Sequence, residues 1–261
     1  MKSWQKYVAE VLGTFILVFG GSLAILAAAG ANNLAVAFGF GIALLGGLYA
    51  FGEVSGGHFN PIVSLAMFLD GRLSALDTIW YWIAQFVGAI LASLGVLVIF
   101  ASRDAVKATA TTTSSDARAF FLEMIFSAIF VAVILQVTRS DRYGPSALMA
   151  IPLTLFSIHV ALIPFTGSSV NPARTFGPDL VGATGWSTIW IYLLAPPVGA
   201  VIGWAVHMVT VRGDTSLRAD LGRAAGDFRK VEFSDVRQGP GQVPPPPSPD
   251  EPDNPRGPGQ V

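Results

Sequence analysis

Long apolar stretches separated by short polar ones organise this chain. Residues 7–29, 34–52, 80–100, 118–137, 146–163 and 188–211 are nearly unbroken hydrophobic runs, each near the roughly 20 residues a helix needs to cross a hydrocarbon core about 30 Å thick. The second run is rich in glycine, at positions 39, 41, 46, 47 and 52, which suits close helix approach where no hydrophobic drive acts between helices. Two shorter apolar runs, 61–69 and 172–181, break the pattern. About ten helical residues rise about 15 Å, half a membrane, so each predicts a re-entrant half-helix that enters from one face and stops near the midplane. Irregular backbone at that depth is tolerated only when buried in protein or lining a water-filled cavity. The two segments therefore predict a pore.

The pattern also repeats. Asn60-Pro61 lies 111 positions before Asn171-Pro172 (171 − 60), Gln85-Phe86-Val87-Gly88-Ala89 returns as Pro196-Pro197-Val198-Gly199-Ala200 at the same offset, and Glu10 has a counterpart in Glu123. Residues 1–110 and 111–212 thus read as two repeats of one channel-like domain, 1–212. With three spans in each, the second is inverted relative to the first, which places the functional site at the repeat interface. Six spans put both termini on one side. Lys2, Lys6, Arg72, Arg139, Arg142 and Arg212 fall on that side, against Arg103, Lys107 and Arg118 opposite, so the termini read as cytoplasmic in a cell (plasma or inner) membrane. Trp80, Trp82, Trp186 and Trp190 sit near span ends, as an interfacial belt requires.

Composition narrows the possibilities. The chain is 52% hydrophobic and 13% charged, where a soluble domain is about one quarter charged. A net charge of −1 and no cysteine give no footprint for nucleic acid and remove disulfides, thiolate catalysis and cysteine metal sites. His58, His159 and His207 share no ligand spacing, so neither a metal nor a cofactor is expected, and no enzymatic activity. Lys2 and Lys6 before the first run suggest a secretory signal, but its apolar part exceeds the roughly 7 to 15 residues of one. Residues 213–261 hold nine of the seventeen prolines, including Pro244 to Pro247, and read as a disordered cytoplasmic tail, a recognition ligand for an unidentified partner being the alternative. Leu217, Leu221, Ala224, Phe228 and Val231 keep a helical spacing that also permits a surface helix on lipid.

Asn before Pro makes a good helix start, because proline at the first helical position lacks an amide hydrogen the helix could not satisfy. If the half-helices meet end to end, both positive N-termini face the midplane and oppose cations. The amides of Asn60 and Asn171 then donate to a passing molecule, and free carbonyls of Gly56, Gly57, His58 and Phe59, and of Gly167, Ser168, Ser169 and Val170, accept from it. Arg174 is an ionisable residue inside a re-entrant segment, a functional candidate by default, with snorkelling to the interface as the alternative. Glu10 and Glu123 suit buried structural carboxylates that accept hydrogen bonds from the re-entrant loops, a proton relay being the alternative. His159 reads equally as a core residue or a pore-lining donor.

Paired Asn-Pro segments in an inverted six-span duplication resemble the aquaporin family, the major intrinsic proteins, over about residues 4–210. Asn171-Pro172-Ala173-Arg174 and Ser55-Gly56-Gly57-His58-Phe59-Asn60-Pro61 carry the resemblance. It implies an all-α membrane fold of six transmembrane helices plus two re-entrant half-helices, a homotetramer with one pore per subunit, and a filter of Phe40, His159, Ser168 and Arg174. That set is similar to the water-selective branch, since Phe and His together narrow the pore to about one water, and Thr175 stands where the glycerol branch commonly has aspartate. The implied function is passive single-file permeation of water across the lipid bilayer with exclusion of protons and ions. The alternatives are a glycerol or small-neutral-solute facilitator of the same fold and, further off, a secondary transporter with inverted repeats. The first motif departs from the family: Ile62 stands where alanine is usual and Ala173 stands in the second. Three extra carbons at the junction of the half-helices predict a displaced Asn60 unless the packing opens or a partner there is smaller.

Overall fold

The structure is a computed structural model that describes residues 3–29, 32–111, 113, 115–139, 146–212 and 222. Its helices are α1 Ser3–Ala28, α2 Asn33–Ser55, α3 Pro61–Leu69, α4 Ala75–Phe100, α5 Arg103–Ala108, α6 Asp116–Val137, α7 Ala147–Thr166, α8 Pro172–Gly182 and α9 Ile189–His207, the last running on as a π-helical turn, Met208–Arg212. Helices α1, α2, α4, α6, α7 and α9 are long and apolar enough to cross a membrane. Between them α3 and α8 stop halfway, at Asn60 and Asn171. The face where α1 begins is called proximal here and the opposite face distal. From the midplane, α3 runs to the proximal face and α8 to the distal one. The tail, apart from Gly222, lies outside the described residues, as do Lys2 and Arg142.

Two elements escape the hydrophobic pattern. Helix α4 begins five residues ahead of its apolar run, because the Ser74 hydroxyl caps it by accepting the Asp77 N–H at 3.1 Å. Asp77 in turn is paired with Lys6 Nζ at 2.8 Å and accepts from the Tyr7 hydroxyl at 2.8 Å. The distal connection contains the short helix α5, capped by Ser102, whose charged sequence shows no apolar period.

The spans pack through small residues and turn large ones outward. A side chain on Gly88 of α4 would run into the Val11 carbonyl of α1, and one on Gly199 of α9 into the Met124 carbonyl of α6; such close approach lets dispersion and weak polar contacts hold helices in lipid. Phe38, Ile42, Val98, Ile99, Leu153 and Leu194 are exposed on the outside, as a hydrocarbon solvent allows. Trp4 and Trp80 are exposed toward the proximal end and Trp186 and Trp190 toward the distal end, with Trp190 stacked on Phe120 at 6.0 Å. These are the interfacial belts.

Candidate functional site

Each half-helix is reached through a short loop whose backbone is forced into an unusual path. Gly56 and Gly167 end α2 and α7 in the left-handed conformation, at φ 89° and 71°. Phe59 and Val170, just before the asparagines, are also left-handed, at φ 49° and 43°, a state that costs about 1–3 kcal/mol for a residue with a side chain and persists only when the surroundings over-determine it. Here the surroundings are the two glutamates. Glu10 accepts the Phe59 N–H at 2.7 Å, the His58 N–H at 2.9 Å, the Ser55 hydroxyl at 2.6 Å and the Gln85 amide at 2.7 Å. Glu123 accepts the Val170 N–H at 2.7 Å, the Ser169 N–H at 2.9 Å and the Thr166 hydroxyl at 2.7 Å. Both carboxylates are fully buried. A tyrosine pair at the repeat offset completes the brace: Tyr81 donates to the Ser55 carbonyl at 2.6 Å and Tyr192 to the Thr166 carbonyl at 2.8 Å. Sequence reasoning missed that pair, although 192 − 81 gives the same 111.

At the midplane the two loops cross-link. Asn60 Nδ2 donates to the Val170 carbonyl at 2.8 Å and Asn171 Nδ2 to the Phe59 carbonyl at 3.0 Å. Each Oδ1 caps its own half-helix, Asn60 accepting from the Ile62 N–H at 3.1 Å and Asn171 from the Ala173 and Arg174 N–H groups at 3.0 and 3.3 Å, with Pro61 and Pro172 at the first helical positions. Each amide nitrogen keeps a second hydrogen for the lumen. The carbonyls of Phe59 and Val170, expected to be free, are the ones taken by the asparagines. Nor is Asn60 displaced by Ile62: the two asparagines make reciprocal bonds, and the Ile62 side chain lies fully buried in the same apolar cluster as Phe130, Val131 and Trp204.

One narrow cavity of about 40 Å³ runs past both asparagines. It is lined distally by Phe40, His159 and Arg174, at the centre by Asn60 and Asn171, and proximally by Gly56, Gly57 and His58 of the first loop and by apolar residues such as Val63, Met67, Ile134 and Ile151, with Thr138 beyond. The Phe40 and His159 rings lie 4.6 Å apart, and the Arg174 guanidinium lies 4.9 Å over Phe40. Arg174 is buried, not snorkelling; its Nη1 donates to the Thr109 carbonyl at 3.0 Å in the distal connection, an anchor the sequence did not reveal. Ser168, at φ 51°, sets its hydroxyl 3.2 Å from His159 Nδ1. His159 Nε2 and Arg174 Nε are buried with no hydrogen-bond partner among the described residues.

The architecture is one that known proteins share. A family model described as major intrinsic protein matches residues 1–207. The chain belongs to the major intrinsic protein family. Its relatives within that family carry more than one kind of name. Glycerol uptake facilitator protein-like 6 of Lactiplantibacillus plantarum is 42% identical over 205 residues, covering 76% of this chain and 94% of the facilitator. Aquaporin Z of Brucella melitensis is 42% identical over 215 residues, with the same 76% and 94% coverage. Among solved structures, the aquaglyceroporin from Plasmodium falciparum superposes with a TM-score of 0.72 over 80% of this chain and 97% of its own, at 24% identity, a likeness of fold. As a major intrinsic protein the chain is a multi-pass membrane channel for water or small neutral solutes.

Proposed function

We propose that this major intrinsic protein is a water channel, with passive single-file permeation and exclusion of protons and ions. The observation that carries the proposal is the distal constriction, where Phe40 and His159 face each other at 4.6 Å and Arg174 closes the third side. A constriction that is apolar at Phe40 and polar at His159 and Arg174, all three on the cavity lining, suits a file of water better than a carbon chain. At the centre, the Asn60 and Asn171 amides orient that water, and the N-termini of α3 and α8, both at the midplane, repel cations. Glu10 and Glu123 act as braces, since all their bonds run to the loops and to Gln85. By this reading the proximal face, which carries Lys6, Arg72 and Arg139, is cytoplasmic, residues 1–212 form the channel, and the subunit assembles as a homotetramer with a pore in each copy.

The glycerol reading has one observation in its favour, the 42% identity to a protein named as a glycerol uptake facilitator. Stopped-flow light scattering on proteoliposomes of the purified full chain separates the two. Rapid shrinkage under an impermeant osmolyte without re-swelling in a glycerol gradient is expected. Re-swelling in glycerol would assign the protein to solute conduction, and neither flux would overturn both readings.

A further inference from the structure

Thr175 lines neither constriction, yet its hydroxyl is the middle of a buried chain of bonds. Thr111 Oγ1 donates to Thr175 Oγ1 at 3.2 Å, and Thr175 Oγ1 donates to Ser169 Oγ at 2.6 Å. Ser169 Oγ donates to the Asn171 carbonyl at 2.8 Å and accepts the Asn171 N–H at 3.3 Å. All four residues are buried. Tyr192 gives its own hydroxyl proton to the Thr166 carbonyl, so its contact with Thr111 shares the Thr111 proton with Thr175.

The first half explains why such a chain is needed. The position equivalent to Thr175 is Ser64 (175 − 111), whose Oγ accepts from Gln85 Nε2 at 2.9 Å, while the same amide donates to Glu10 at 2.7 Å. There a span, α4, holds the half-helix start directly. The equivalent of Gln85 is Pro196, which offers no side-chain donor, so α9 cannot hold Ser169 or Thr175 in the same way. The distal connection takes its place. Two residues before Thr111, the Thr109 carbonyl accepts from Arg174 Nη1 at 3.0 Å, and the Thr109 hydroxyl ties that turn to the Val106 carbonyl of α5 at 2.7 Å. One short stretch, 109–111, thereby grips the residue of the distal constriction and, through Thr175 and Ser169, the residue of the central one.

We infer that Thr175, with Thr111 and Ser169, is a positioning residue for permeation, a hydroxyl relay through which the distal connection sets the Asn171 main chain, and with it the reach of the Asn171 amide into the lumen. The inference rests on the water-channel reading.

The test uses full-length protein in proteoliposomes, with water permeability normalised to inserted protein and followed against temperature. Thr175→Val keeps the shape and removes both the donor and the acceptor, leaving Thr111 and Ser169 without their partner; permeability is expected to fall about fivefold, with a steeper temperature dependence, in keeping with one misplaced hydrogen bond in the file. Thr175→Ser keeps the hydroxyl and is expected to stay close to the native protein. Thr111→Val breaks the same relay from its far end and is expected to reproduce the loss, which keeps the test open if Thr175→Val fails to insert. Native permeability and temperature dependence in Thr175→Val or, should that variant not insert, in Thr111→Val would overturn the relay. Equal losses in Thr175→Val and Thr175→Ser would also overturn it, because the requirement would then be for volume. A native protein without water flux would refute the water-channel reading itself, a result distinguishable because it precedes any variant.

Discussion

The two halves of the molecule bend the same backbone in the same way and then present different side chains to the lumen. Position for position, Gly56 matches Gly167, Phe59 matches Val170, Asn60 matches Asn171 and Tyr81 matches Tyr192, and each pair does the same job. One turn further into the half-helix, Arg174 matches Val63 (174 − 111), and both line the cavity. On the spans, Phe40 matches Ile151 and His159 matches Leu48. What is kept in both halves is the brace that holds strained loops at the midplane. What differs is the distal constriction, polar where its proximal counterpart is apolar, and the proposed water channel places selection among solutes in that difference.

Breaking the shared brace should have the largest effect. Glutamine at position 10 or 123 offers one acceptor oxygen where the loop presents donors to both, so an amide N–H would face a backbone N–H in a buried site. Glu10→Gln and Glu123→Gln should each lose about 3 kcal/mol or more of stability, seen as collapse in the yield of folded protein in detergent. Glu10→Gln is expected to be worse, since Glu10 holds Gln85 as well as the loop. Native yield from either variant would show that the carboxylates are not what holds the strained residues.

Making the first half more like the second comes next. Ile62→Ala removes three carbons from a fully buried site and should cost about 2–5 kcal/mol through the cavity it leaves, lowering the thermal midpoint. Water flux per folded protein should be unchanged, because the Asn60 bonds to Val170 and to the Ile62 N–H involve backbone and asparagine atoms alone. Altered flux would mean that Ile62 shapes the centre after all.

Making the second half more like the first tests selection. Arg174→Val copies Val63, so the fold should tolerate it, while removal of the buried cation should raise proton leak about tenfold, the equivalent of about 1.4 kcal/mol at the barrier; a pH-sensitive dye trapped in the vesicles reads it. In the same constriction, Phe40→Trp with His159→Gly should open a path for glycerol, and a variant that passes water with no gain in glycerol entry would reject these residues as the filter.

Much of this was legible in the chain because membrane physics leaves few choices. Run length gave the six spans, half-length gave α3 and α8, and the offset of 111 paired the loops. The glutamates were recognisable because a carboxylate in lipid must be bonded. The distal connection was not legible: Thr109 and Thr111 act through a carbonyl and a hydroxyl, in a polar stretch without period, and only the folded path brings them to Arg174 and Thr175. The effect of Ile62 was not legible for a related reason. A larger side chain at a junction says nothing of the direction in which it points, and here it points into the core.

The smallest effect sharpens the comparison most. Tyr81 and Tyr192 each donate one buried hydrogen bond to the carbonyl that opens a re-entrant loop, at 2.6 and 2.8 Å. Phenylalanine keeps the ring, and with it the packing of Tyr81 against the His58 ring at 5.0 Å, so Tyr81→Phe and Tyr192→Phe isolate the hydroxyl. Each should cost about 1 kcal/mol, a shift of about 2–4 °C in the unfolding midpoint for a chain of this size. The two sites brace opposite halves and share no partner, so the double variant should show the sum within about 0.5 kcal/mol. Because the Tyr192 hydroxyl also contacts Thr111, a larger loss in Tyr192→Phe would be shared with that contact, whereas a clearly larger loss in Tyr81→Phe would mean that the first loop is held more tightly and that the symmetry of the brace is geometric without being energetic.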